Sequence, residues 1–212
     1  MKKLNLHPIY PKKCLSFNNK EHEKYPYLLK NVTPSHSNHV WQTDITYLKL
    51  STGYAYLSAL IDVYSRKILS YEISNTLDPS FCINTIKNAI LRYDKPYCVN
   101  SDQGSQYKSL EFINLLKKEG IKISMNSKGR ALDNIFIERF FRSLKYEDVY
   151  LCKYSNINEA KKGIAEYIDF YNNDRASADI KPLALYSSAC AYQSLDYNTP
   201  NEIYYDRYKN VA

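Results

Sequence analysis

The distribution of apolar and polar residues changes along the chain and predicts where strands and helices lie. Three stretches rich in β-branched and aromatic residues are separated by short turn signals, which predicts a β-meander: Val40–Leu50, Tyr54–Tyr64 and Lys67–Ile73. Apolar residues then recur at helical spacing from Pro79 to Arg92. A proline at the start and an apolar stripe are typical of an amphipathic helix.

Shorter elements alternate in the second half of the chain. The pattern predicts, in chain order, a strand, a helix, a strand and two longer helices: Tyr97–Asn100, Leu110–Glu119, Ile121–Met125, Leu132–Tyr146 and Asn158–Asn172. A meander followed by alternating helices and strands indicates an α/β or α+β domain, with a mixed sheet flanked by helices.

Composition limits the class of protein. The 212 residues are 44% hydrophobic and 24% charged, which suits one main globular domain. No apolar run is long enough to cross a bilayer and no signal-peptide segment begins the chain, so we expect a cytoplasmic protein without a membrane partner. The five scattered cysteines lack a C-x-x-C pair, which indicates neither a disulfide framework nor a thiolate zinc site.

The charge balance points to the kind of partner. The formal net charge of +7 favours a polyanion, nucleic acid before membrane. The 22 tyrosines are spread along the whole chain, so we expect most of them to pack in strands and on helix faces rather than to stack on bases.

Three acidic residues occupy positions that are costly for a carboxylate. Asp44 lies inside the first predicted strand, Asp102 follows the fourth strand directly, and Glu138 lies in a helix rich in Ile and Phe. A buried carboxylate requires a partner or a metal ion. The carboxyl ends of strands in α/β sheets usually form the ligand site.

Each acid alone has an ordinary structural explanation. Asp44 could pair with a buried base, Asp102 could cap a turn, and Glu138 could be a solvated helix residue. Three carboxylates on elements around one sheet edge are harder to explain in that way. Carboxylate ligation suits Mg²⁺ or Mn²⁺, and two such ions can clamp the attacking and leaving oxygens at phosphorus.

Basic residues accompany the glutamate. Arg142 and Lys145 follow Glu138 by four and seven residues and share its helix face. This spacing is compatible with a simple Glu–Arg pair, or with a groove in which the acid binds metal and the bases bind phosphates. Three further candidates for DNA contact lie nearby: Lys128, Arg130 and Arg139.

The remaining candidate ligands, two histidines and three acidic residues, are predicted to have structural roles rather than to bind metal. His36 and His39 lack the cysteine pair that would complete a zinc site, so we expect loop histidines. Asp133 with Asn134 is predicted to cap the helix of Glu138. None of the remaining acids, Asp62, Asp133 and Asp148, is assigned to a metal.

From about Tyr10 to Asp174 the chain resembles the OrfB-type insertion-sequence transposases, whose core is similar to retroviral integrases and ribonuclease H. Thirty-five residues, 103 to 137, separate Asp102 from Glu138, the D-D-35-E spacing of that family. The resemblance is carried by four motifs: W-Q-T-D-I-T-Y around Asp44, I-D-V-Y-S-R at Ile61–Arg66, S-D-Q-G-S-Q-Y at Ser101–Tyr107, and Lys128–Glu147, which contains F-I-E-R-F-F-R-S-L-K.

The resemblance implies a ribonuclease H-like fold with a five-stranded mixed sheet. It implies that Asp44, Asp102 and Glu138 bind two Mg²⁺ or Mn²⁺ ions and act as the catalytic residues. Such enzymes hydrolyse a transposon end and then use the freed 3′-hydroxyl to attack a second phosphodiester. Lys145 falls at the family's basic position seven residues after the glutamate.

The chain departs from the family at both ends. Residues 1–37 resemble a basic linker, and the helix-turn-helix region that usually precedes it is absent. The catalytic core is predicted at residues 38–175. Residues 176–212 contain an extra segment, at about 176–191, that interrupts the family's C-terminal motif, and Tyr192 stands where the family has histidine.

Three functions are compatible with these features. The first is a catalytic transposase that assembles as a homo-oligomer on DNA at the nucleoid, with a possible helix-turn-helix partner protein. The second is a catalytically impaired remnant that retains nucleic-acid binding. The third, a structure-specific nuclease, is disfavoured by the integrase-type spacing.

Overall fold

The computed structural model describes residues 25–30, 32–126, 134–175, 195 and 198–209. Five strands form one sheet in the order β3-β2-β1-β4-β5. The strands are β1 (Val40–Leu50), β2 (Gly53–Asp62), β3 (Ile68–Ser74), β4 (Cys98–Ser101) and β5 (Lys122–Met125). The predicted five-stranded mixed sheet is therefore confirmed.

Strand direction divides the sheet into two parts. β1, β2 and β3 form the predicted antiparallel meander, with Trp41 opposite Asp62 and Leu50 opposite Gly53 at the two ends of the β1–β2 ladder. β4 then pairs with β1 in parallel, and β5 pairs with β4 in parallel. Parallel neighbours require long crossover connections. Helices provide these connections here.

The helices are α1 (Pro79–Arg92), α2 (Leu110–Lys118), α3 (Ile135–Leu144), α4 (Tyr150–Cys152), α5 (Ile157–Asn173) and α6 (Pro200–Lys209). Asp78, Ser109 and Asn156 each accept a backbone hydrogen bond from the first turn of α1, α2 and α5 respectively. Such caps satisfy N–H groups that have no partner inside the helix. No helix in the described part of the chain is long and apolar enough to cross a membrane.

The helix around Glu138 continues further than predicted. The periodicity predicts an end at Tyr146, but a π-helical turn, Lys145–Val149, joins α3 to α4 without a break. The chain leaves this continuous helix at Lys153, which adopts the left-handed conformation (φ 49°). Tyr146 and Tyr150 consequently lie on a helix that begins beside the candidate active site.

Apolar side chains form one layer on each face of the sheet. The odd-numbered residues Leu57 and Ile61 of β2 belong to the layer beneath α3 and α5, whereas Leu60 belongs to the layer beneath α1 and α2. This division follows from the alternation of side chains along a strand. In β1, Leu48 and Leu50 face the α3 side. Asp44 is also even-numbered, so it lies on the same side of the strand.

Helix α6 was not predicted. It begins with a capping box, in which the Glu202 N–H donates to Thr199 Oγ1 (3.1 Å) and the Thr199 N–H donates to Glu202 Oε2 (2.7 Å). Tyr204 is 1% exposed and binds Asn38, whose Nδ2 donates to the tyrosine hydroxyl (2.8 Å). The C-terminal helix therefore packs at the start of β1.

Candidate active site

Parallel pairing places two of the predicted carboxylates side by side. Val40 pairs with Cys98 and Gln42 with Asn100, an offset of 58 residues. The same offset carries Asp44 to the level of Asp102, just beyond the paired segment. Neighbouring strands lie about 4.8 Å apart, so the two side chains emerge close together from one edge of the sheet.

The third carboxylate comes from the helix that covers this edge. Ile137, Phe140, Phe141 and Leu144 anchor α3 in the same apolar layer as Leu48 and Leu57. Glu138 lies on the opposite, exposed face of the helix, and its charge still acts on Asp44. Asp102 and Glu138 thus both act electrostatically on Asp44.

Asp44 has an unusual protonation equilibrium. Burial raises the pKa of its carboxyl group from 3.8 to about 7, and the negative charges of Asp102 and Glu138 contribute to the rise. Hydrogen bonds from the Ile45 N–H, at 2.8 Å, and from the Asn134 side chain oppose it. Asp44 is therefore a carboxylate whose charge the surrounding protein groups only partly stabilise.

The side chains of Asp44, Asp102 and Glu138 are the candidate ligands for the predicted metal ions. Three carboxylates supply the oxygen ligands that Mg²⁺ and Mn²⁺ prefer. Among the described residues, no group of three or more His, Cys, Asp and Glu side chains is arranged so that it could hold a metal ion. One oxygen of Asp102 accepts the Gly104 N–H (2.9 Å). The chemistry of the donors and the raised pKa of Asp44 fit a divalent cation.

Gly104 allows the Asp102 loop to close on itself. A Cβ atom at this position would lie 2.9 Å from Asp102 Oδ1 and 3.4 Å from Oδ2. Real Cβ atoms do not approach oxygen so closely, so any larger residue would displace the carboxylate. The glycine is required here by space rather than by a positive φ angle.

Tyr107 ties the same loop to β1. Its side chain is buried in the apolar layer beneath α1 and α2, and its hydroxyl lies 3.2 Å from Thr43 Oγ1. Burial raises the pKa of this phenol well above its ordinary value, so the hydroxyl stays protonated and can hydrogen-bond. Sequence reasoning included Tyr107 in a motif but assigned it no role. Its position five residues after Asp102 was the available signal.

The predicted cap of α3 requires a correction. Asp133 lies outside the described residues, and Asn134 occupies the N-cap position without a side-chain capping bond. The Asn134 side chain turns instead to β1, where it hydrogen-bonds Asp44 and lies 3.5 Å from the Thr43 carbonyl oxygen. A carboxylate is a stronger acceptor than a neutral group. Asn134 therefore links α3 to the strand of Asp44.

The predicted DNA-binding cations divide into three groups. Arg139 and Arg142 are exposed on α3. Lys145 is half-buried and close enough for the charge of Asp44 to act on it, although burial lowers the pKa of its ammonium group. Lys128 and Arg130 lie outside the described residues. Of the three described cations, Lys145 therefore interacts with a carboxylate of the candidate site, and Arg139 and Arg142 lie on the same helix as Glu138.

A partly buried ion pair holds the π-helical turn that follows α3. Arg175 Nη2 lies 2.5 Å from Glu147 Oε1, and the Tyr167 hydroxyl donates to Glu147 Oε2 (2.7 Å). Arg175 also donates to Ser143 Oγ (3.2 Å). These bonds join α5 to the π-helical turn. Sequence reasoning overlooked this contact, because nothing in either motif indicates the pairing.

The remaining acids have structural partners. Asp62 is fully buried and accepts hydrogen bonds from the Asn38 N–H (2.9 Å) and the Ser65 hydroxyl (2.6 Å), which closes the β2–β3 turn. The Tyr154 hydroxyl donates its one proton to the Asp148 carboxylate and lies 2.9 and 2.7 Å from its two oxygens. His36 and His39 stack with ring centroids 4.9 Å apart.

Comparison with known proteins adds independent information. Two family models, both described as the integrase core domain, match residues 34–131 and 138–198. The chain is 36% identical over 159 residues to the putative transposase InsK for insertion sequence element IS150 of Escherichia coli (74% of this chain, 56% of that protein). It is 34% identical over 159 residues to an uncharacterized transposase-like protein of Haemophilus influenzae (74% and 73%). The chain thus spans between about half and three quarters of these relatives.

Solved structures match the fold. The catalytic core domain of HTLV-2 integrase in complex with magnesium (trimeric form) superposes with a TM-score of 0.58 at 20% identity, over 80% of this chain and 97% of that chain. The simian T-cell lymphotropic virus intasome superposes with a TM-score of 0.64 at 20% identity, over 88% and 60%. The predicted ribonuclease H-like fold is confirmed.

Proposed function

Because the chain belongs to the insertion-sequence transposases that contain an integrase core domain, we propose that it cuts a DNA end by hydrolysis and joins the freed 3′-hydroxyl to a second DNA strand. One observation carries this proposal. Asp44 and Asp102 leave one sheet edge at the same level, and α3 brings the charge of Glu138 to them.

Asp44, Asp102 and Glu138 would hold two Mg²⁺ or Mn²⁺ ions. When bound, such ions favour deprotonation of the attacking water or hydroxyl and neutralise charge that develops at phosphorus. The protein itself orients the ligands: Tyr107 holds the Asp102 loop against β1, and Asn134 directs an amide at Asp44.

The cations of the helix would bind the DNA backbone. Lys145 lies close enough to Asp44 for the two charges to interact, and Arg139 and Arg142 add exposed positive charge on α3. Lys128 and Arg130 complete the proposed set of phosphate contacts, each of which would make binding more sensitive to salt. Residues 38–175 form the proposed catalytic unit.

The assembly that would carry out transposition is larger than one chain. Joining a DNA end to a target requires both DNAs to be held together, so we propose a homo-oligomer that forms on DNA. A separate helix-turn-helix protein could read the transposon ends, and the working location would be the nucleoid.

A strand-transfer assay tests the proposal. Labelled oligonucleotides that carry transposon ends are incubated with the full chain in Mn²⁺. We expect Glu138→Gln to reduce cleavage and joining by at least about 10²-fold, because loss of one ligand removes several kcal/mol of charge stabilisation. Glu166→Gln, an exposed glutamate on α5, is the matched control and should retain wild-type rates.

Two results would contradict the proposal. If wild type and Glu138→Gln gave the same product pattern, these carboxylates would not carry the chemistry. If wild type bound DNA with a steep salt dependence but formed no product, the chain would be a DNA-binding remnant.

A further inference from the structure

Two large aromatic side chains are exposed on the continuous helix that carries Glu138. Tyr146 is 65% exposed and Tyr150 is 46% exposed. Their rings pack edge to face, with centroids 5.4 Å apart and an interplanar angle of 84°. The guanidinium of Arg142 lies 6.0 Å from the Tyr146 ring centroid. The three side chains form one surface, here called the Arg142–Tyr146–Tyr150 row.

The row is an extension of the candidate active site. Glu138, Arg142, Tyr146 and Tyr150 follow one another at intervals of four residues, the spacing of a ridge on a helix surface. Tyr146 lies eight residues after Glu138, or about 12 Å along the helix axis. At about 3.4 Å per nucleotide, this distance spans three to four nucleotides.

The backbone conformation of this part of the helix also differs from that of an ordinary α-helix on a protein surface. Tyr146 belongs to the π-helical turn Lys145–Val149, and such turns occur frequently at functional sites. The turn is held from below by Glu147, which pairs with Arg175. The ion pair thus holds in place the turn that carries the exposed Tyr146 ring.

The neighbouring charges identify the ligand chemistry. Arg142 and Lys145 are cations beside exposed π-faces, and the whole chain has a formal net charge of +7. Tyrosine and arginine are also enriched in protein interfaces, whereas lysine is depleted there. A ligand with an anionic backbone and planar rings suits both features. Bases inside a duplex are stacked on both faces, whereas an unpaired nucleotide can turn either face of its base to a tyrosine.

We propose that the Arg142–Tyr146–Tyr150 row binds unpaired nucleotides of the DNA end by stacking, a few nucleotides from the reacting phosphate. This inference rests on the proposed function for the identity of the DNA. Stacking on a tyrosine tolerates every base, because each base has a π-face. The row would therefore favour a DNA end with frayed or single-stranded nucleotides over a blunt end, without regard to sequence.

The test measures binding apart from catalysis. The Glu138→Gln chain is mixed, without added divalent ions, with a blunt duplex or with the same duplex carrying a four-nucleotide overhang that contains 2-aminopurine. We expect tighter binding of the overhang DNA and a change in 2-aminopurine fluorescence. Adding Tyr146→Leu should weaken overhang binding by about tenfold and abolish the fluorescence change, while blunt-duplex affinity stays the same.

Two further variants act as controls. Tyr146→Phe keeps the ring and should retain both signals. Tyr54→Leu removes a tyrosine that is 63% exposed on β2, about five residues along the sheet from the level of Asp44, and should also leave both signals unchanged. Circular dichroism of each variant checks that the fold is intact.

Several results would overturn the inference. One is that Tyr146→Leu binds overhang DNA as tightly as its parent. Another is that Tyr146→Leu loses the same affinity for blunt and for overhang DNA. A third is that Tyr146→Leu dissociates an oligomer in sedimentation while its overhang binding stays intact. The last result would show a protein interface. If overhang stacking is found but strand transfer by the wild-type chain fails, the stacking site stands and the proposed function does not.

Discussion

The raised pKa of Asp44 makes the electrostatics of the site measurable, because it changes how stability depends on pH. Burial and the charge of Asp102 raise its pKa from 3.8 to about 7. Between pH 4 and pH 7 the folded chain therefore keeps a proton that the unfolded chain has released. The free energy of unfolding consequently falls as pH rises through this window, and the loss is complete above pH 7.

We expect Asp44→Asn to stabilise the chain in EDTA at pH 8 and to have little effect at pH 4. A shift from 3.8 to about 7 corresponds to a gain of the order of 4 kcal/mol at pH 8. Denaturant titrations at both pH values measure it.

Addition of Mg²⁺ provides the control for this prediction. At pH 8 the cation should raise the stability of wild type, because it binds only the folded carboxylates, and should leave Asp44→Asn nearly unchanged. An equal gain at pH 4 and pH 8 in EDTA would show that Asp44 is not the group that titrates.

At the scale of elements, the sequence predicted most of the architecture. The bounds of β1 and α1 agree with the structure, because alternation in a strand and an apolar stripe in a helix are local signals. The parallel register between β1 and β4 was not predicted and comes from the structure, whereas the sequence did place Asp44 and Asp102 at one edge of the sheet. The triad was therefore accessible to sequence reasoning, although its metal-binding role remains a prediction.

The features that were missed depend on tertiary contacts. Asn134 is a typical cap by its residue type, but the Asp44 carboxylate competes for its amide. The π-helical turn is held by Arg175, which follows the end of α5. Helix α6 is the exception, because Thr199, Pro200 and Glu202 form a capping box that the sequence displays.

Tyr154, at the junction between α4 and α5, packs closely against Gly163 of α5. Tyr154 places its hydroxyl on Asp148 and its ring directly against Gly163 of α5. A methyl group at Gly163 would overlap the tyrosine ring and hydroxyl. Although alanine favours a helix by about 1 kcal/mol over glycine, we expect Gly163→Ala to destabilise the chain by about 1–3 kcal/mol, measured by urea denaturation.

A double-mutant cycle separates the clash from other effects. In a Tyr154→Leu background the same glycine substitution should become neutral or stabilising, since the overlapping atoms are gone. Additive effects of the two substitutions would show that Tyr154 does not limit the space at Gly163.

The whole molecule depends on contacts between segments that are distant in sequence. Lys67, 3% exposed, lies 4.3 Å from the Tyr204 ring centroid and 4.1 Å from that of Tyr205, and donates to the Tyr205 hydroxyl (3.0 Å). Burial lowers the pKa of this ammonium group, while the aromatic faces stabilise its charge. The residue joins the β2–β3 turn to α6.

Helix α6 also supports the strand that carries Asp44. Tyr204 hydrogen-bonds Asn38, and Asn38 Oδ1 accepts from the indole of Trp41 (3.0 Å), the second residue of β1. Loss of this helix should therefore loosen β1 at its start, although the helix lies outside the candidate active site. The α3 and α5 layer on the other face of the sheet should be less affected.

We expect Tyr204→Ala to lower the free energy of unfolding by about 3–5 kcal/mol, the usual cost of truncating a buried aromatic residue. Tyr54→Ala, which truncates an exposed tyrosine, should change it by less than about 0.5 kcal/mol. Hydrogen exchange then locates the effect: the Val40–Gln42 amides of β1 should exchange faster in Tyr204→Ala, while those of α5 keep more of their protection. Uniform acceleration in both elements would mean that α6 is part of a single cooperative unit with the α5 layer, and unchanged exchange in β1 would mean that the helix does not support the strand of Asp44.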